Sequence, residues 1–143
     1  MLRGLRFCLA LLGASAVGIA LSIFLLGAEA TAAMGERVFG WVAGGAGPAG
    51  EHWPATMDSE LRFYAALWGA YGIVALRTAW KLPQTLDQVP WLIGVFFAGG
   101  VGRVLSRLSI GAPHPFFSAL MAIELVLPLM MLGLWLGVRR TVL

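Results

Sequence analysis

From Val89 to Val138 the chain reads VPWLIGVFFAGGVGRVLSRLSIGAPHPFFSALMAIELVLPLMMLGLWLGV. It contains two apolar runs, about 89–108 and about 116–138, each close to the roughly 20 residues a helix needs to cross a hydrocarbon core. Between them, Gly111-Ala112-Pro113-His114-Pro115 makes a short stiff turn, because proline fixes φ and removes a backbone donor. Two helices joined this closely must return antiparallel. Asp87 and Gln88 precede Pro90, an arrangement suited to the first turn of a helix.

Outside the hairpin, two further runs qualify, from about Leu5 to Gly27 and from about Leu61 to Trp80. The expected fold is therefore all-α: an integral membrane bundle of four transmembrane helices, a single domain over residues 1–143. Composition agrees. The chain is 59% hydrophobic and only 12% charged, with a mean hydropathy of +0.85, whereas a globular chain is about half apolar and a quarter charged. No repeat relates the two halves. Arg3 and Arg6 ahead of an apolar run, followed by Ala28-Glu29-Ala30, imitate a secretory signal. The run exceeds the roughly 7–15 residues of a signal core, so a permanent helix is expected.

Basic residues set the orientation. Arg3 and Arg6 precede the first run, Arg77 and Lys81 end the second, and Arg139 and Arg140 follow the fourth. Four crossings put all of these on one side, so both termini are expected in the cytoplasm. The opposite side holds Glu29, Glu36, Glu51, Asp58 and Glu60. Trp80, Trp91 and Trp135 then fall near the inner boundary, and Trp41 and Trp53 lie outside. The long extracytoplasmic loop, residues 28–58, places Met34, Val38, Trp41 and Val42 at helical spacing, with Glu36 and Arg37 on other faces. This predicts a short helix lying in the outer interface. Gly40, Gly44, Gly45, Gly47, Pro48 and Gly50 follow, with little to fix one conformation. The loop reads first as a linker on the headgroups and second as a lid over the bundle.

Helices in lipid associate through close approach at small residues. Ala10, Ala14, Gly18 and Ser22 form a register of four in the first run. Ala65 with Gly69, Ala66 with Ala70, Gly94 with Ala98 and Gly102, and Gly133 with Gly137 offer others.

A charge at the centre of a span costs roughly 2.5–3.5 kcal/mol, so it is rarely left unpaired. The candidate site is the cluster Glu60, Arg62, Tyr64, Tyr71, Arg103, Ser106, Arg107 and Glu124. Arg103, Ser106 and Arg107 share one helix face. Counting outward from the turn near Gly111 sets Glu124 level with about Ala98, and Arg103 roughly 7–8 Å closer to the outside. Side chains lean toward their helix N-terminus, so Arg103 and Glu124 reach toward each other. The expected ion pairs are Arg103 with Glu124 and Arg107 with Glu60. Pro128 removes the donor for the Glu124 carbonyl, an acceptor the Arg103 guanidinium could also serve. Glu60, Tyr64, Leu67, Trp68 and Tyr71 form one stripe; facing the arginines, it would wall a polar pocket.

Other chemistry lacks a sequence basis. Cys8 is single and most simply a packing residue. His52 and His114 have no partners at ligand spacing and suit surface or turn roles. No catalytic triad, nucleotide loop, metal set or cofactor motif is present, and the scattered basic residues do not form a nucleic-acid surface.

Ser59-Glu60-Leu61-Arg62-Phe63-Tyr64, then Gly69 and Gly72, then Gly102-Arg103-Val104-Leu105-Ser106, Gly111-Ala112-Pro113 and Glu124 resemble the DUF4345 family of small bacterial membrane proteins. That family is in turn distantly similar to DoxX-like four-helix proteins. The resemblance implies residence in the inner (cytoplasmic) membrane and places Glu60, Arg62, Arg103, Ser106 and Glu124 in the family pattern. It supplies no activity. The leading functional expectation is an accessory or structural subunit, contacting a membrane partner or a second copy through small-residue faces. The alternative is a binder of a small amphiphile (a quinone, a lipid or an anionic headgroup) in the outer half of the bundle. Nothing identifies an enzymatic reaction.

The topology is directly testable. Green fluorescent protein fused to either terminus should fluoresce, and alkaline phosphatase should be active when inserted between residues 28 and 58 or at the 111–115 turn, and inactive at either terminus. Activity of a terminal phosphatase fusion would overturn the orientation.

Overall fold

The structure, a computed structural model, describes residues 1–44 and 52–142; the glycine-rich expectation at Gly45, Gly47, Pro48 and Gly50, and Glu51, lie outside them. The described residues form five helices and no strand: α1 (Leu2–Leu26), α2 (Ala28–Ala43), α3 (Ala55–Lys81), α4 (Val89–Ser109) and α5 (Pro115–Val142). By length and composition α1, α4 and α5 can each cross a membrane. α3 has the length, 27 residues, but Tyr64, Trp68, Tyr71 and Arg77 dilute its apolar stretch. Three helices meet the criterion where the sequence led us to expect four.

Backbone bonding, which outlasts hydropathy, carries several helices past their expected limits. α3 starts at Ala55 rather than Leu61, and α5 continues to Val142. α1 stops at Gly27, whose φ of 89° turns the chain out of the helix and directly into α2. Its N–H still bonds the Ile23 carbonyl.

The fold consists of two closely joined helix pairs, α1 with α3 and α4 with α5. The first pair has backbone against backbone. A Cβ on Gly13 would lie 2.7 Å from the Gly72 carbonyl oxygen, and one on Gly72 would lie 2.8 Å from that of Gly13. Further along, Gly69 faces Ala20, and Ala16 and Ala65 are buried. The seam on α1 is thus Gly13, Ala16, Val17 and Ala20. The expected register Ala10, Ala14, Gly18 and Ser22 does not form it: Ala14 and Gly18 are exposed. What selects a seam is a small residue opposite another at the same height, and Gly13 has Gly72. On α4, Gly94, Ala98 and Gly102 are likewise exposed, and Gly100 instead makes the close contact, with Glu124.

The buried apolar cluster lies in the half of the molecule nearer the chain termini. Leu5, Leu9 and Leu12 of α1 meet Ala75 and Ala79 of α3, Leu92, Ile93 and Phe96 of α4, and Met131 and Val138 of α5. The turn between α3 and α4 closes that end. Arg6 Nη2 donates to the Leu82 carbonyl at 2.7 Å and Trp135 Nε1 to the Leu86 carbonyl at 2.9 Å. Thr85 Oγ1 donates to the Thr78 carbonyl at 3.0 Å, and Thr78 Oγ1 to Gln88 Oε1 at 3.1 Å.

In the opposite half the two pairs stay packed internally but are no longer joined by that cluster. α2 lies across this end, touching α1, α3 and α5. The stripe Met34, Val38, Trp41 and Val42 points away from the protein, Trp41 being 82% exposed and Val42 84%, whereas Phe39 turns toward α5. That outward stripe suits a helix in a lipid interface. Glu36 turns the other way and is buried.

Leucine at Gly13 or Gly72 should therefore force the α1–α3 backbones apart, destabilising the protein by about 1–3 kcal/mol or more. Leucine at Gly18, where no atom stands within 4 Å of the added carbon, should change stability by less than about 0.5 kcal/mol. Thermal unfolding of the two kinds of variant in the same detergent checks the contrast.

Candidate functional site

Arg103 and Glu124 face each other across the α4–α5 seam. Arg103 Nε donates to Glu124 Oε2 at 2.7 Å, a charge-assisted bond of ordinary length. The partners are unequally covered: the Glu124 side chain is 13% exposed and that of Arg103 is 39% exposed. Glu124 is held where Gly100 lets α4 approach, since a Cβ there would stand 3.0 Å from Glu124. The Arg103 guanidinium also lies over the Phe117 ring, 5.9 Å from its centre. The additional bond to the Glu124 carbonyl does not form; Nε serves the carboxylate alone. α5 nevertheless runs unbroken through Pro128.

Both residues continue the stripes that build the core. On α4, Phe96, Gly100, Arg103 and Arg107 recur at spacings of four, three and four. Phe96 is buried against Trp68, and Gly100 against α5, but Arg103 and Arg107 have emerged from cover. On α5, Glu124 shares its stripe with buried Pro128, Met131 and Val138. The pair thus sits where the helix pairs part.

The expected pair of Arg107 with Glu60 is not formed. Arg107 Nη1 donates instead to Ser118 Oγ at 3.1 Å, and Glu60 is exposed at the start of α3. The reason is lateral. α3 lies along α1 and meets α4 only sparingly, so matching heights did not bring these residues together. Ser106 is exposed, with no side-chain bond, and Tyr64 is exposed with its ring edge on Phe63. Tyr71 does turn inward. Its hydroxyl donates to the Leu92 carbonyl at 2.9 Å, and its ring stacks on Trp68. The stripe from Glu60 to Tyr71 therefore divides, with only Trp68 and Tyr71 facing α4.

Arg62 belongs to another place altogether. Its Nε donates to Asp58 Oδ2 at 2.7 Å and its Nη1 to the Phe24 carbonyl at the end of α1. Asp58 accepts in turn from the Ala28 N–H that begins α2. The Arg62 guanidinium, helped by that N–H, holds the Asp58 carboxyl below the usual carboxylate range. A lowered folded value means that the link is intact at neutral pH and is lost only as acid protonates Asp58. Ser22 and Thr31 add a hydroxyl contact of 2.9 Å across the same bend. Leu26, Ala30, Ala33, Glu29 and Trp53 join Asp58 and Arg62 around a groove of about 420 Å³.

Three participants escaped the sequence reading. Asp58 carried a usable signal, since an acid four residues before an arginine on a helix is a standard pairing. Ser118 carried none. The third is Glu36, buried opposite His114 with Oε1 3.9 Å from Nδ1; His114 does serve the turn, its Nδ1 accepting the Phe116 N–H at 3.2 Å.

No curated protein and no solved structure matches the chain. Residues 4–136 match the family described as a domain of unknown function, DUF4345. With nearly its whole length covered, and with Arg103 and Glu124 inside the matched region, the chain belongs to the DUF4345 family.

Proposed function

We propose that the protein crosses the inner membrane of a bacterial cell four times, with both termini in the cytoplasm, and holds an anionic amphiphile in its outer half. Support for the fourth crossing comes from packing. α3 touches α1 backbone to backbone at Gly13 and Gly72, so a membrane-spanning α1 brings α3 with it despite its weaker hydropathy. In this orientation the end carrying α2 is extracytoplasmic, and the parting of the helix pairs opens toward the outer leaflet.

The observation that carries the reading is the charge balance at the parting. Two guanidinium groups, Arg103 and Arg107, stand one turn apart against a single carboxylate, Glu124. A structural clamp needs one cation for that anion and gains nothing from leaving it partly open. Here the second arginine binds only a serine hydroxyl, and the first keeps 39% of its side chain accessible. Guanidinium donors in a fork suit a phosphate or carboxylate headgroup.

An accessory-subunit reading has its own observation. Gly94, Ala98 and Gly102 form an exposed small-residue stripe on α4, of the kind that admits another helix.

Native mass spectrometry of protein extracted gently from its own membrane separates the two. A bound anionic amphiphile is expected, reduced roughly tenfold or more by Arg107→Ala and by Arg103→Ala, as losing a charge-assisted contact implies. Exchanging Arg103 and Glu124 should preserve the fold but not the ligand. An empty bundle with a reproducible protein partner would instead establish the accessory role. Amphiphile retention unchanged in both alanine variants would move the site elsewhere.

A further inference from the structure

α2 is fastened at two places, by different chemistry. At its N-terminus the Asp58–Arg62 pair and the Ser22–Thr31 contact fix it to α1 and α3. Along its length it rests on the beginning of α5. Gly35 leaves no room for a side chain above the Phe116 ring, and Phe39 meets the same ring with centroids 6.1 Å apart. Beside these rings Glu36 and His114 face each other, with side chains only 8% and 11% exposed.

The imidazole is in an unusual position. Nδ1 accepts the Phe116 N–H at 3.2 Å, so the proton of the neutral ring belongs on Nε2. Nε2 is buried and has no hydrogen-bond partner. The same Nδ1, unprotonated in the neutral ring, stands 3.9 Å from a buried carboxyl oxygen of Glu36. Among the described residues, Glu36 is the one acidic side chain within ion-pair distance of the ring. The other charged groups on the elements packed here are otherwise placed. Arg37 of α2 is exposed, Arg107 of α4 is held by Ser118, and Glu124 of α5 pairs with Arg103. On the far side of α2, Asp58 and Arg62 of α3 satisfy each other.

We infer that Glu36 and His114 form a proton-operated latch that closes α2 over the end of the bundle. A proton taken from solvent adds to Nδ1, giving an imidazolium. The Phe116 N–H contact to Nδ1 is then surrendered, and the new N–H donates to Glu36 Oε1. The approach required is small, about 1 Å from the present 3.9 Å to the length of a charge-assisted bond. Loss of the proton reverses both changes and removes the charge-assisted bond between α2 and α5. Because α2 touches α1, α3 and α5, its hold on α5 is what bridges the two helix pairs at this end. Acid therefore tightens the bridge and neutral or alkaline conditions loosen it. The latch does not depend on what the parting beneath it binds.

Hydrogen–deuterium exchange of the full chain in nanodiscs of zwitterionic lipid tests this without any anionic ligand. After correction for the intrinsic pH dependence of exchange, amides in residues 31–43 should be roughly tenfold better protected near pH 5.5 than near pH 8. His114→Asn and Glu36→Gln should each abolish that difference, with α1 and α3 protection unchanged as the measure of intact folding. If the His114→Asn protein fails that folding check, Glu36→Gln decides. Equal protection of the wild type at both pH values would overturn the latch. So would a pH difference that survives in a folded variant.

Discussion

The contact between Gly13 and Gly72 constrains everything around it. With no side chain on either residue, α1 and α3 meet through backbone atoms and become one stiff unit. The second unit, α4 with α5, tolerates such closeness only at Gly100. Two stiff pairs cannot fit each other along their whole length when large side chains fill one half between them. Leu5, Leu9, Phe96 and Met131 fill the half nearer the termini, and the buried cluster does not continue beyond it. Residues that continue the buried stripes past that point lose their cover, and on α4 those residues are Arg103 and Arg107. The polar site is a geometric result of the glycine contact.

The two ends of the molecule answer the demand for backbone hydrogen bonds differently. In an apolar surrounding every free carbonyl is costly. At the α3–α4 turn, Arg6 of α1 and Trp135 of α5 donate to loop carbonyls, and Thr85 of the loop donates back to the Thr78 carbonyl of α3. That end has one arrangement. At the other end, Arg62 reaches the last turn of α1 in the same spirit, but the next attachment, to α5, relies on aromatic rings and an imidazole. Rigidity at one end and conditional attachment at the other is a common basis for moving parts.

Much of this was legible in the sequence, for reasons that can be stated residue by residue. The pairing of Arg103 with Glu124 follows from helix rise and the turn at 111–115 alone, both local quantities. The pairing of Arg107 with Glu60 required knowing which helix stands beside which, and no local pattern encodes that α3 prefers α1. The α1 seam failed similarly. Ala10, Ala14, Gly18 and Ser22 are as regular as the true contact, but regularity on one helix says nothing of what stands opposite. Glu36 was placed off the apolar stripe of α2, as the structure has it, but its burial was not legible, because nothing local shows that this face of α2 rests on α5. His114 was read as a turn residue, which it is; its burial depends on α2 folding over it.

The order in which the helices leave the ribosome gives the Gly13–Gly72 contact another meaning. α1 is made first and is the most apolar of the three candidate spans. It can enter a bilayer unaided and wait there with its small-residue face open. α3 emerges later and carries tyrosines, tryptophan and arginine that make solitary insertion costly. It arrives, however, beside a helix already shaped to receive its backbone. In the four-crossing arrangement proposed above, α1 would serve as an internal insertion partner, and the helix least able to enter lipid alone would be the one that need not do so. The last two helices follow as a hairpin whose short turn couples their entry, bringing the paired Arg103 and Glu124 into the membrane together as a neutral pair.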